Sequence, residues 1–128
     1  MAKILVVEDR DGDRLYLTKL LGYYGHAVIQ AADGAEALNR VTEDAPDLVI
    51  SDILMPTMDG YEFVRRLRGL PQVAATPVMF YSASYHEHEA RALASRCGVA
   101  DIVSKPSDAD AMMAKIHAVL GRRGAQSF

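Results

Sequence analysis

Five short apolar runs recur along the chain at intervals of some 20 to 30 residues: Ile4-Leu5-Val6-Val7, Ala27-Val28-Ile29, Leu48-Val49-Ile50, Val78-Met79-Phe80-Tyr81 and Ile102-Val103. Their length and their β-branched and aromatic content predict strands. Between them the apolar residues take helical spacing: Leu17, Leu20, Leu21 and Tyr24; Ala37, Leu38 and Val41; Phe63, Val64 and Leu67; Ala90, Leu93, Ala94 and Cys97; then Met112, Ile116, Val119 and Leu120. Each set forms one stripe, so each helix covers one face of a neighbouring layer. Asp33 with Glu36, and Ser107 with Asp110, have the acceptor-then-acid spacing of a helix start, and Asp59 is placed to cap the third helix. Gly25 and Gly98 stand where C-caps belong.

Strict alternation of strand and helix implies parallel strands joined by right-handed crossovers, with helices on both faces. The first, third and fourth strands are nearly continuous apolar runs, as central parallel strands are, whereas the second and fifth are shorter or weaker and read as edges. The predicted fold is therefore a flavodoxin-like, doubly wound five-stranded parallel sheet of order 2-1-3-4-5 with five helices. In that order the chain reverses between strands 1 and 3, and ligands of open α/β sheets gather at the carboxyl ends of strands beside such a switch point.

Those carboxyl ends carry chemistry. Strand 1 finishes with Glu8 and Asp9, strand 3 with Asp52, strand 4 with Ser82 and strand 5 with Lys105-Pro106, while strand 2 ends in the silent pair Ala31-Ala32. Three carboxylates held together repel, and a hard divalent cation resolves the repulsion. Mg²⁺ prefers one or two carboxylates, water and a phosphate oxygen, a set that Glu8, Asp9 and Asp52 can begin. A carboxylate beside Mg²⁺ can attack phosphorus to give an aspartyl phosphate. Lys105 can then pair with one phosphoryl oxygen and the Ser82 hydroxyl with another. The set predicts phosphoryl transfer to Asp52.

Composition narrows the setting. At 128 residues, half of them hydrophobic and about a quarter charged, the chain has room for one domain with its own core. Residues 1–121 are read as that domain and 122–128 as a tail or the start of a linker. The net charge of -3 gives no general attraction to nucleic acid. Cys97 is the only cysteine, which excludes an internal disulfide and suits a reducing, cytoplasmic location; it is read as packing. No run approaches the roughly 18 apolar residues of a membrane span, and the amino-terminal run is too short for a secretory signal.

The stretches ILVVED, PDLVISDILMPTMDGYEFVRRLR, MFYSAS and VSKP resemble the receiver domain of two-component response regulators, over about residues 3 to 120. The resemblance implies a phosphoryl group accepted from a histidine kinase or a histidine phosphotransfer protein, with Mg²⁺ required and an unknown downstream effector answering. By position Asp52 is the phosphoacceptor, Glu8 and Asp9 the acidic pair, Ser82 the hydroxyl switch and Lys105 the lysine. Leu54 falls where a backbone carbonyl contacts the metal, and the Lys105-Pro106 peptide is expected to be cis. Two positions depart from the pattern. Glu8 replaces the commoner Asp, and Ile102 stands where the family usually has an inward-turning Tyr or Phe. Tyr81 and Tyr85, flanking Ser82, are the nearest rings that can take that part.

Other residues have plainer readings. Asp11 and Asp13 lie in a first helical turn, where acids complement the helix dipole, and are left out of the site. Met55 and Met58 are read as exposed beside Asp52, a patch a kinase can meet. Met112-Met113 reads as core plus surface, and Arg65, Arg66 and Arg68 as a solvated helical face. His86 and His88, two apart, make a poor ligand pair. Two other functions compete with this reading. An aspartate-nucleophile phosphohydrolase commonly has a second acid two residues after the first, where this chain has Leu54; a phosphorylation-independent docking module needs none of the charged set.

Overall fold

The computed structural model describes residues 1–83 and 87–126. Its elements are β1 (Lys3–Val7), α1 (Asp11–Tyr23), β2 (Ala27–Ala31), α2 (Gly34–Asp44), β3 (Leu48–Ser51), α3 (Gly60–Arg68), β4 (Val78–Ser82), α4 (Glu87–Arg96), β5 (Asp101–Ser104) and α5 (Ala109–Gln126). The five strands form one sheet in the order β2-β1-β3-β4-β5, and every pairing is parallel. This is the fold and order expected from the apolar runs.

Alternation along each strand divides the core into two layers. Leu5, Val7, Val49, Val78, Phe80 and Ile102 face α2, α3 and α4, where they meet Ala37, Val41, Phe63, Val64, Leu67 and Ala94. Ile4, Val6, Leu48, Ile50, Met79, Tyr81 and Val103 face the other way, onto Leu17 and Leu21 of α1 and Met112, Met113, Ile116 and Val119 of α5. The central strands β1, β3 and β4 are apolar on both faces because both are covered.

Helix ends follow local chemistry. The Asp33 carboxylate accepts the Glu36 N–H at 2.8 Å, and the Asp59 carboxylate accepts the Glu62 N–H at the same distance. Gly25 and Gly98 sit at φ +86° and +68° behind α1 and α4, a conformation glycine adopts without strain. At α5 the cap differs from expectation. Asp108, not Ser107, accepts from the Ala111 N–H, at 3.2 Å, because the helix begins one residue later than the Ser107-Asp110 spacing suggested.

Further expectations are corrected. Helix α5 runs on through Gln126, so residues 122–126 are helical. Gly121 lowers helix propensity by only about 1 kcal/mol and does not stop a helix anchored by Met112, Met113, Ile116 and Val119. Met112 and Met113 are both buried. Met55 is buried too, and half-buried Met58 packs on the start of α2, where its Sδ lies 2.7 Å from the place a Cβ on Gly34 would occupy. The exposed apolar group in that loop is Leu54. Arg65 and Arg66 do form a solvated pair of bridges to Glu62, but Arg68 turns inward. Its guanidinium donates to the carbonyls of Cys97, Ala74, Thr76 and Gly98 at 3.0, 2.9, 2.6 and 3.2 Å, tying the end of α3 to the segments that enter β4 and β5. Cys97 is half-buried against the α2–α4 side of the core, as packing requires. Tyr85 and His86, and the side chain of His88, lie outside the described residues.

The first turn of α3 bears directly on the site. A Cβ on Gly60 would lie 2.6 Å from the Asp52 carbonyl oxygen, 3.0 Å from Ile53 Cα and 3.1 Å from the Phe80 ring. Two of these neighbours are backbone and cannot yield cheaply. Gly60→Ala is expected to cost about 2 kcal/mol of stability, read as a lower urea midpoint at unchanged slope.

Candidate functional site

The register of β1 on β3, with Val7 opposite Ser51, sets the next residues of both strands, Glu8 and Asp52, side by side at the carboxyl edge of the sheet. The backbone secures both. Glu8 N–H donates to the Ala31 carbonyl and Asp52 N–H to the Val7 carbonyl, each at 3.0 Å. Beyond Asp52 the chain turns sharply. Ile53 N–H donates to Asp52 Oδ1 at 2.6 Å, and Gly60 N–H reaches back to the Ile53 carbonyl at 2.7 Å. Between them Met58 N–H donates to the Pro56 carbonyl at 2.7 Å, forcing Thr57 to φ +72°. Such a γ-turn on a β-branched residue is strained, and strain of this kind concentrates beside functional sites.

Glu8, Asp9 and Asp52 each bring a carboxylate oxygen within 4.8 Å of the others. Glu8 and Asp52 are almost wholly buried, and Asp9 Oδ1 is buried without a hydrogen-bond partner among the described residues. An unpartnered buried carboxylate oxygen beside two further carboxylates fits a hard cation, which is the chemistry of Mg²⁺.

Lys105 balances this charge from the end of β5. Its Nζ donates to Glu8 Oε2 at 2.8 Å, to Asp52 Oδ2 at 3.1 Å and to Asp13 Oδ2 at 3.1 Å, so all three ammonium protons are engaged. It also lies 5.4 Å from the centre of the Tyr81 ring, a cation–π distance. The Lys105-Pro106 peptide is cis. Lys105 N–H donates to the Ser82 carbonyl at 3.0 Å, and Ser82, fully buried, hydrogen-bonds through its side chain to Asp52.

The proton affinities follow from these contacts. Burial pushes the Glu8 carboxyl up to about 7, against the pull of Lys105 and with the help of the Asp52 charge. Burial also acts to raise Asp52, but hydrogen bonds from Ser82 and Glu8 and the Lys105 charge hold it below the ordinary carboxylate value. Burial acts to lower Lys105, and its bonds to Glu8 and Asp13 overcome this, leaving it raised. Asp52 is thus the stronger acid of the pair and Glu8 the weaker.

The structure brings Glu8, Asp9, Asp52, Ser82 and Lys105 together. Leu54 stands two residues past Asp52 with its side chain exposed. Asp13, set aside on sequence, belongs to the cluster. Its nearness in sequence to the acidic pair, in the first turn of α1, was the available signal. Ile102 is core, packed on the α2–α4 side, whereas Tyr81 faces α1 and α5. Tyr81 therefore does not fill the place of the missing ring, and it touches Lys105 instead.

A model of the response regulator receiver domain matches residues 4–117. The chain belongs to that family. This receiver is 32% identical over 120 residues to the protein PilH of Pseudomonas aeruginosa, covering 94% of the chain and 98% of PilH. It is 35% identical to the transcriptional regulatory protein AfsQ1 of Streptomyces coelicolor across 97% of the chain but only 53% of AfsQ1, so the receiver spans about half of that longer relative. The chemotaxis protein CheY4 of Vibrio cholerae superposes with a TM-score of 0.87 at 31% identity, covering 93% of the chain and 98% of CheY4. No helix among the described residues is long and apolar enough to cross a membrane.

The raised Glu8 value has a measurable consequence. With a folded pKa of about 7 against an ordinary 4.5, the folded receiver binds this proton more tightly than the unfolded chain. The linked stability is complete below the ordinary value and is lost as pH rises through about 7. In EDTA, Glu8→Gln is expected to lose this dependence and to exceed the wild type by about 1–3 kcal/mol at pH 8, measured by urea unfolding across pH.

Proposed function

We propose that this receiver accepts a phosphoryl group onto Asp52 from a phosphohistidine donor, either a histidine kinase or a histidine phosphotransfer protein, in a Mg²⁺-dependent reaction. The observation that supports this best is the buried Asp52 with Lys105 and Ser82 both bonded to it. A carboxylate oxygen of Asp52 forms the new bond to phosphorus while the bond from phosphorus to the donor nitrogen breaks and its electron pair leaves with the donor. The Ile53 N–H keeps the carboxylate oriented for this attack. The Lys105 ammonium offsets charge on the transferring group, and the Ser82 hydroxyl donates to it. Glu8, Asp9, Asp52 and the Leu54 carbonyl would hold Mg²⁺, which would supply divalent charge for the same purpose.

The receiver modifies itself and has no separate substrate, so it works as a switch and not as an enzyme in the usual sense. Phosphorylation moves the bonds of Ser82 and Lys105, which join β4 to β5, and so biases the surface that an effector meets. With Ile102 packed as core, the readout starts from these two residues and needs no aromatic rotamer. Recognition of the partner is by protein contact in the cytoplasm, with neither membrane nor nucleic acid engaged by this domain.

Incubation with a radiolabelled acyl phosphate in millimolar Mg²⁺ tests the assignment. Label is expected on the wild type and none on Asp52→Asn, with EDTA abolishing transfer and Asp9→Ala raising the Mg²⁺ requirement at least tenfold. Label retained by Asp52→Asn would assign the acceptor elsewhere.

A further inference from the structure

Asp13 is not needed for the acceptor, metal or switch roles, yet it holds one of the three ammonium protons of the residue that must meet the phosphoryl group. Its carboxylate lies 3.1 Å from Lys105 Nζ and is 40% exposed, whereas Glu8 and Asp52, the other two partners, are almost wholly buried. It is therefore the most solvent-accessible of the three partners of Lys105. It comes from α1, an element that otherwise sends no side chain to Lys105 among the described residues. Its neighbour Asp11 offers a contrast. That carboxylate, in the same helical turn, is 91% exposed and pairs with Arg14 at 2.6 Å.

We infer that Asp13 is a positioning residue that restrains phosphorylation by holding Lys105 in its resting place, an inference that rests on the reading of Asp52 as phosphoacceptor. The ammonium has three protons and all are spent in the resting receiver. Contact with a phosphoryl oxygen requires one carboxylate to let go. Asp52 is the group being modified and Glu8 is fixed through Arg10 N–H at 3.2 Å as well as Lys105, so Asp13 is the partner that is free to leave. Its negative charge also opposes an incoming anionic donor, because the two compete for one cation at contact distance. With an acyl phosphate as donor the step is balanced without a proton. The new P–O bond forms at Asp52, the acyl P–O bond breaks, and the carboxylate of the donor departs with the electron pair.

The test is the second-order rate constant for labelling of the intact receiver by an acyl phosphate at fixed saturating Mg²⁺, for wild type, Asp13→Asn, Asp13→Glu and Asp11→Asn, at low and high salt. Asp13→Asn is expected to react at least about threefold faster than wild type at low ionic strength, with the gap narrowing as salt screens the charge. Asp13→Glu should stay near wild type, and Asp11→Asn should stay within about twofold of it. Urea midpoints of all four establish that the proteins compared are folded, and a general loss of structure cannot produce a faster reaction. Equal rates for Asp13→Asn and wild type, or equal gains from Asp13→Asn and Asp11→Asn, would overturn the inference while leaving Asp52 as acceptor. Absence of label on Asp52 in the wild type would instead overturn the reading beneath it, and this inference with it.

Discussion

The ammonium group of Lys105 is the interaction on which the site depends. Parallel pairing of β1 with β3 carries Glu8 and Asp52 to one edge, and Asp9 and Asp13 add two more carboxylates within reach. Two like charges about 4 Å apart repel by about 4 kcal/mol at a protein-like effective dielectric. Leaving such a cluster uncompensated would drive its members to protonate. A single cation with three donors, resting on the Tyr81 ring and sunk to 10% exposure, helps hold the proton affinity of Asp52 down and opposes the rise that burial imposes on Glu8. The fold supplies that cation from a strand two places away from β3, which is why the order β1-β3-β4-β5 matters chemically as well as for packing.

The same cluster explains how a rigid site can also be a switch. Its carboxylates are anchored by backbone: Asp52 by Ile53 N–H, Glu8 by Arg10 N–H, and the strand ends by ladder bonds. The groups that can exchange partners are side chains at the rim, Lys105, Ser82 and Asp13. Glycine at position 60 lets α3 begin in contact with the Asp52 carbonyl, and Arg68 ties the other end of α3 to the entries of β4 and β5. The α2–α4 face is thereby braced from both ends of α3, while Tyr81 and Asp13 couple the site to the α1 and α5 face.

Much of this was legible in the sequence because strand burial and strand ends are written locally. Continuous apolar runs marked β1, β3 and β4 as central, and the residue after each run marked the site. What was not legible depended on contacts between elements. Asp13 looks like any acid in a first helical turn until β5 delivers Lys105 beside it. Arg68 looks like its solvated neighbours Arg65 and Arg66 until the carbonyls of two later loops close around it. Met55 and Met58 look exposed beside a charged residue, but the γ-turn at Thr57 folds them back onto the core. The length of α5 was not legible for a different reason: glycines weaken a helix without stopping one that is already anchored upstream.

The central claim is that Lys105 is a shared cation, held by carboxylates at rest and passed to the phosphoryl group on activation. The most direct measurement is a crystal structure of the receiver with Mg²⁺ and a beryllofluoride mimic of the aspartyl phosphate. The expected result is Lys105 Nζ bonded to a fluoride and parted from Asp13, with Ser82 donating to a second fluoride. A bound mimic with Lys105 still resting on Glu8 and Asp13 would contradict it.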